Sequence, residues 1–365
     1  MSTDALFSPV KLGTLTLANR IVLAPLTRSR ANEMGIPSDL APTYYAQRGQ
    51  AGLLITEATQ VSFEGMGYPR TPGMHTPEQI AGWRPVVEAA HAVGTKIAAQ
   101  LFHVGRIVNT KNRGVSADVV APSAVQAPGE MYTDAAGMQP HDTPRALETD
   151  EIARIASDFA DAAHNAITAG FDAVEFHSAN GYLMHQFMSS NVNKRDDRYG
   201  GSIENRLRAP LEVLDAMIAK VGADKVGIRV SPGHTFNGIE EDDTDALYKA
   251  YYAALETRGL AYLHVMRPFA NAADADPVTV ARGHFSGPII ACGNYNGESG
   301  AELIASGGAD AIAYGRSFIA NPDLPLRFKI GAPMTEPDGS TFYSPGPKGY
   351  TDYDVWDGDA DAASA

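Results

Sequence analysis

Eight short apolar runs limit most strongly what this chain can fold into. They fall at residues 21–24, 52–56, 96–102, 173–177, 226–230, 260–265, 288–291 and 311–314. Each is continuous rather than alternating, the pattern of a strand covered on both faces. Helical stretches lie between them. Thr76-Pro77-Glu78-Gln79 opens one, with Thr as cap, Pro at the first helical position and Gln closing a capping box; Gly94 ends it. Thr149 is expected to cap another that reaches Gly170, and further helices are expected at residues 42–48, 203–221, 243–258 and 297–306, with one more after Asn321-Pro322. Glu204 suits the positive end of the helix it opens. Strands alternating with helices in this way call for a closed parallel (β/α)8 TIM barrel in a single domain. The competing doubly wound sheet lacks a fingerprint, because no Gly-x-Gly-x-x-Gly follows any run.

Around this repeat lie three additions. Residues 6–20 read as an N-terminal β-hairpin turning at Gly13-Thr14, placed to plug the barrel's bottom. Residues 104–149, rich in Pro, Gly and Asp, form a long insertion after strand three, the length of a lid or a ligand-shaping segment. The barrel domain is expected to occupy residues 1–355, and 356–365 form an acidic C-terminal tail expected to be disordered.

Composition removes several function classes. A net charge of −14 is wrong for a nucleic-acid partner, although a local phosphate site remains compatible with it. The single cysteine, Cys292, cannot form an internal disulfide, which fits a reducing cytoplasm, and its apolar neighbours suggest core packing. No secretory signal is visible, and no apolar run has the length of a membrane span. No compact metal-ligand spacing is present.

A barrel builds its active site from the carboxyl ends of its strands. Strand one ends at Pro25-Leu26-Thr27 and strand two at Ala58; strand three carries Gln100, Phe102 and His103. Strand four delivers His177, Asn180 and Tyr182, and strand five Arg229. An imidazole and a carboxamide three residues apart can donate to one oxygen, and a nearby phenol stays protonated at neutral pH. Gly293-Asn294 after strand seven and Gly315-Arg316 after strand eight occupy the usual phosphate position of such barrels. Gln100 can both donate to and accept from a heteroaromatic edge, and Arg229 can stabilise a ring that becomes anionic on reduction. Flavin mononucleotide (FMN) meets all these requirements, with Thr27 as a donor that tunes its potential. Two other readings compete. One is a flavin-free lyase or isomerase using His103, Glu175 and His177 on a metal and a phosphorylated substrate; the other is a flavin-binding protein without catalysis.

The ordered motifs now carry a family resemblance. They include Asn19-Arg20-Ile21-Val22-Leu23-Ala24-Pro25-Leu26-Thr27-Arg28, Tyr44-Tyr45-Ala46-Gln47-Arg48, and Gln100-Leu101-Phe102-His103-Val104-Gly105-Arg106. Glu175-Phe176-His177-Ser178-Ala179-Asn180-Gly181-Tyr182 and Tyr199-Gly200-Gly201-Ser202-Ile203-Glu204-Asn205-Arg206 follow, then Gly315-Arg316-Ser317-Phe318 and Gly349-Tyr350-Thr351-Asp352-Tyr353. Over nearly its whole length the chain resembles the old yellow enzyme family of FMN-dependent ene-reductases. The resemblance implies that NAD(P)H, with NADPH favoured, reduces tightly bound FMN and that an activated alkene then replaces it. It implies that His177 and Asn180 bind the substrate carbonyl and that Tyr182 protonates the α-carbon. Pro25, Leu26, Thr27, Ala58, Gln100, Arg229, Gly293, Asn294, Gly315 and Arg316 would hold FMN, while Tyr68, Phe102 and Tyr350 would line the substrate pocket. A monomer or homodimer is expected. His75 and Arg106 are the basic residues considered for a 2′-phosphate. Phe102 replaces a frequent Trp, Asn180 a frequent His, and Asp354 a usual Pro.

Overall fold

The computed structural model describes residues 2–268 and 276–358. Its centre is a closed barrel of strands β1 (Ile21–Leu23), β2 (Leu53–Ile55), β3 (Lys96–Phe102), β4 (Ala173–His177), β5 (Val226–Val230), β6 (Tyr262–Met266), β7 (Ile289–Cys292) and β8 (Ala311–Tyr314). Each pairs in parallel with the next, and β8 returns to β1 with Tyr314 opposite Leu23, so this sheet closes on itself. A short strand, Thr59–Gln60, adds to the carboxyl end of β3. Every residue of β4, β5 and β6 is buried, as continuous apolar runs require when helices cover one face and the barrel interior the other.

The helix Pro77–Ala92 starts as its sequence predicts. Thr76 Oγ1 accepts from the Gln79 N–H, and the Gln79 carboxamide oxygen accepts from the Thr76 N–H. The expectation for Thr149 is corrected. Asp150 precedes the helix Glu151–Ala169 without capping it, and the Thr149 hydroxyl donates instead to Asp197 Oδ2 at 2.9 Å. The first helical residue is Glu151, so the cap position falls on Asp150, and Thr149 lies one residue outside it. Gly170, at φ +109°, ends that helix as expected.

The hairpin Val10–Leu12 with Leu15–Leu17 closes the bottom of the barrel. Leu12, Leu15 and Leu17 are almost wholly buried and pack with Val22, Leu53, Ala98, Ala173 and Ala311, residues near the amino ends of the strands. Each such leucine contributes about 1.5–3 kcal/mol through the surface it removes from water.

Within the insertion the structure adds order that composition did not show. Glu130–Thr133 pairs antiparallel with Gly137–Pro140, and Val120–Ala121 lies parallel to Arg145–Ala146. Strands this short present too few residues for a period of two to stand out. Arg113, buried, pins the segment by donating to the carbonyls of Glu64, Met66, Ala117 and Asp118. At the C-terminal side the Trp356 N–H donates to Asp323 Oδ2 at 2.7 Å. The rest of the expected tail, residues 359–365, lies outside the described residues. Among the described residues no helix is long and apolar enough to cross a membrane.

Candidate active site

Inside the barrel the lining changes character from bottom to mouth. Leu53, Ala98, Ala173 and Ala311 belong to the apolar plug region. Two residues further along their strands come Gln100 and Glu175, and two beyond those come Phe102 and His177, joined on β5 and β6 by Arg229 and His264. Register aligns them: Gln100 lies opposite Glu175, His177 opposite Arg229, and Arg229 opposite His264. His264 on β6 reaches Glu175 on β4 across the interior at 2.8 Å. On β5 between them Gly227 has no side chain, and the Tyr262 ring fills that space so closely that a Cβ would lie 2.2 Å from it.

At the mouth, His177 and Tyr182 meet ring to ring at 5.0 Å, and Phe102 lies 5.3 Å from Tyr182. His177 Nδ1 accepts the Ala179 N–H at 3.3 Å, so in the neutral ring the proton sits on Nε2, which is then a donor. Burial, and then the Arg229 cation, hold the His177 pKa well below its ordinary value, so the ring is neutral at physiological pH. Burial raises the Tyr182 phenol well above 10, with Tyr68 adding to the effect. Its hydroxyl donates to the Tyr68 hydroxyl at 3.2 Å, and burial pushes Tyr68 up to about 12. Tyr182 is therefore a proton reservoir that does not ionise at neutral pH.

The segment between these residues is fixed by backbone geometry. Asn180 has φ +57° and Gly181 φ +74°, two consecutive left-handed residues that reverse the chain out of β4. Asn tolerates that region, and Gly181 is required: a Cβ would lie 2.6 Å from Asn237 Cβ and 2.7 Å from the Phe236 carbonyl oxygen. The Asn180 N–H donates to Ser231 Oγ at 2.8 Å, and its carbonyl accepts from Asn237 Nδ2 at 2.7 Å. The Gly181 N–H donates to His185 Nδ1, whose Nε2 meets Glu241 at 2.9 Å.

Whether these residues suit a flavin is tested by Arg229. Its guanidinium is buried, yet its Nη2 touches only sulfur, Met266 Sδ at 3.0 Å and Cys292 Sγ at 3.8 Å, and its Nε has no hydrogen-bond partner. A buried cation with such weak acceptors suits a ligand edge that carries or gains negative charge. The ring-binding candidates converge nearby. Pro25, Leu26 and Thr27 follow β1 and Ala58 follows β2, and the two loops are tied where the Arg28 N–H donates to Glu57 Oε2 at 3.0 Å. Burial raises Glu57 to about 7 despite the Arg28 N–H and guanidinium, which favour its charge. On the other side, Cys292 lies opposite Ala313, so Gly293-Asn294 and Gly315-Arg316 leave neighbouring strands side by side. Gly293 and Asn294 are left-handed, at φ +112° and +52°, and Arg316 is exposed and forms no ion pair among the described residues. The donor set fits FMN.

Comparison with known proteins agrees with this chemistry. Residues 5–335 match the NADH:flavin oxidoreductase / NADH oxidase family. The chain belongs to that family. It is 44% identical over 356 residues to 12-oxophytodienoate reductase 1 of Oryza sativa subsp. japonica, covering 95% of this chain and 92% of the relative. A structure of morphinone reductase in complex with tetrahydroNAD superposes with a TM-score of 0.91 at 46% identity, covering 97% of this chain and 98% of that one. The old yellow enzyme homologue from Zymomonas mobilis gives 0.93 at 40% identity over 96% and 99%. The old yellow enzyme resemblance and the (β/α)8 barrel both hold, and the protein is a flavin-dependent oxidoreductase.

Within this old yellow enzyme barrel several residues occupy places the sequence did not foretell. Tyr350, expected as a pocket wall, is 1% exposed and stacked on Tyr44 at 4.2 Å, with the Arg30 guanidinium over its ring at 4.6 Å. Cys292 packs in the buried core as expected, and its Sγ also lies 3.8 Å from Arg229 Nη2. Arg106 is spent on the carbonyls of Asn237 and Gly238, at 3.0 Å each, and holds two loops together. His75 approaches the Gln60 carbonyl and packs its ring against Phe63. The metal-dependent alternative loses its ligands. Glu175 is taken by Gln100 and His264, His103 Nε2 lies 3.7 Å from Glu64, and no group of three or more His, Cys, Asp or Glu among the described residues is placed to hold a metal ion. Sequence reading missed His264, Ser231, Asn237 and His185. His264 was legible in principle, since it shares strand parity with Tyr262 and Met266. Ser231 and Asn237 carry no local signal.

Proposed function

We propose that this protein is an NAD(P)H-dependent ene-reductase that reduces the C=C bond of α,β-unsaturated carbonyl compounds, with nitroalkenes, maleimides and nitrate esters as further substrates and NADPH as the favoured reductant. The observation that carries the reading is the cluster of a neutral His177, Asn180 and a protonated Tyr182 at the mouth of a barrel whose buried Arg229 lacks a strong acceptor. FMN, when bound, supplies the centre that takes a hydride from the nicotinamide and passes it to the alkene β-carbon.

The chain's residues supply the rest. Thr27, Ala58, Gln100 and Arg229, with Pro25 and Leu26, hold the ring; Gly293, Asn294, Gly315 and Arg316 hold the phosphate. His177 Nε2–H and the Asn180 carboxamide donate to the substrate carbonyl oxygen and stabilise the negative charge that develops there. Tyr182 gives its hydroxyl proton to the α-carbon, and Tyr68, already hydrogen-bonded to it, helps hold that hydroxyl in place. Phe102 and Tyr68 form the pocket wall beside these donors. Because Asn180 cannot gain charge, the carbonyl site keeps the same donors across the physiological pH range. We place the reaction in the cytoplasm, in keeping with the lone cysteine.

An anaerobic visible spectrum tests the reading. Adding NADPH to the purified holoprotein is expected to bleach the flavin bands, and adding cyclohexenone to restore them. Bands that bleach and never return with any activated alkene would overturn the substrate class.

A further inference from the structure

Beneath the mouth lies a buried pair to which no step above assigns work. Glu175 and His264 are both 0% exposed, and the carboxylate spends its two oxygens on different partners. Oε1 receives the Gln100 Nε2–H at 2.7 Å, and Oε2 meets His264 Nδ1 at 2.8 Å. Burial alone would raise the carboxyl and lower the imidazole. Burial is the largest single influence on each, but His264, Arg229 and Gln100 together leave the Glu175 carboxyl below its ordinary pKa, and Glu175 together with Cys292 leaves His264 above its own, so the pair is ionised. An ionised carboxylate can only accept hydrogen bonds. The Gln100 amide must therefore present its nitrogen to Glu175 and turn its oxygen away. That oxygen accepts nothing among the described residues. A buried ion pair adds little net stability, because desolvation offsets most of the attraction. Its clearest consequence here is to remove one of the two orientations open to the Gln100 carboxamide.

We propose that Glu175, held by His264, is a positioning residue for the flavin: it locks Gln100 in the orientation that offers the ring an acceptor. The inference rests on the reading that Gln100 faces the ring. Replacing Glu175 with Gln supplies an amide that can either donate or accept, so Gln100 becomes free to invert and turn an N–H toward the ring. Oxidised FMN then binds more weakly, and the ring, which gains negative charge on reduction, is reduced more easily.

The test measures FMN affinity, by quenching of flavin fluorescence, and the midpoint potential in wild type, Glu175→Gln, Gln100→Ala and the double variant, with thermal melting as the control for folding. Glu175→Gln is expected to raise the Kd for FMN about tenfold, the value of one net hydrogen bond, and to shift the potential in the positive direction. In the Gln100→Ala background the same substitution should leave the Kd unchanged, because the group through which Glu175 orients the ring's partner is gone, and should move the potential less than in wild type, by the direct effect of the lost charge alone. Equal shifts in both backgrounds, or none in a folded Glu175→Gln protein, would overturn the proposal. If Glu175→Gln does not fold, Glu175→Asp keeps the charge beside His264 but withdraws the carboxylate from Gln100. It must show the same Gln100-dependent loss of FMN affinity, and its absence overturns the proposal equally. A wild-type protein that fails to bind FMN sinks the flavin reading itself, a result separable from any behaviour of the variants.

Discussion

At Tyr182 burial does two things at once. It keeps the phenol proton in place far above neutral pH, and it brings the hydroxyl within 3.2 Å of Tyr68, a second protonated phenol. Tyr182→Phe removes the proton and keeps the ring that packs on His177 and Phe102. Alkene reduction in stopped-flow reoxidation is expected to slow by about 10²–10⁴-fold, the usual worth of a positioned general acid, while flavin reduction by NADPH keeps its wild-type rate. Unchanged reoxidation would remove Tyr182 from the mechanism. Arg229 shows the opposite trade. Its guanidinium is buried beside two sulfurs and so costs the ligand-free protein stability. Arg229→Met is expected to raise the melting temperature of the flavin-free protein, by the equivalent of about 1–4 kcal/mol, and to weaken FMN binding. A variant that melts lower without flavin would contradict this account of the site.

Elements are joined at their ends by charge as well as by packing. Glu64, in the connection between β2 and β3, accepts from Arg154 Nη2 on the helix Glu151–Ala169 at 2.7 Å and lies 3.7 Å from His103 at the end of β3. Burial pushes this carboxyl up, but His103 and Arg154 more than offset it and leave it at about 2, below the ordinary 4.5. A carboxyl whose folded pKa is depressed stabilises the fold above its unfolded pKa, and that contribution is lost as pH falls through the folded value. Denaturant titrations between pH 6 and pH 2 should therefore show stability falling below about pH 4.5, with a shallower fall in Glu64→Gln. Identical slopes in the two proteins would show that Glu64 is not coupled to folding. The same scale explains the left-handed pair Asn180-Gly181, where one turn reverses the chain out of β4 and Ser231, Asn237 and His185 hold it through hydrogen bonds.

For the whole molecule, the barrel needs its bottom closed while its mouth stays polar. The hairpin performs the first task with three leucines, so stability and chemistry sit at opposite ends of the strands. Leu15→Ala should cost about 2–5 kcal/mol in chemical denaturation, as deletion of a buried leucine does. FMN affinity in the folded variant should remain within about threefold of wild type, since functional loops at the other end are untouched. A large loss of flavin affinity in a folded Leu15→Ala protein would mean the plug and the mouth are coupled.

How much of this was legible beforehand depended on the range of the forces involved. The sequence alone determined the eight strands, the helix start whose cap is local, Thr76 with Gln79, and the collection of His177, Asn180, Tyr182 and Arg229 at one rim with Gln100 one step beneath it. Each of those follows from a period, a neighbouring side chain or the rule that parallel strands end on one face. Only the tertiary structure decided that Thr149 serves Asp197 rather than its helix, that Tyr350 stacks on Tyr44, and that Glu175 turns to Gln100 and His264 rather than to a metal. In each case the competing partner lies 48 or more residues away along the chain, so the choice rests on which buried polar group comes within hydrogen-bond reach, or which ring fills the neighbouring space, once the barrel has closed.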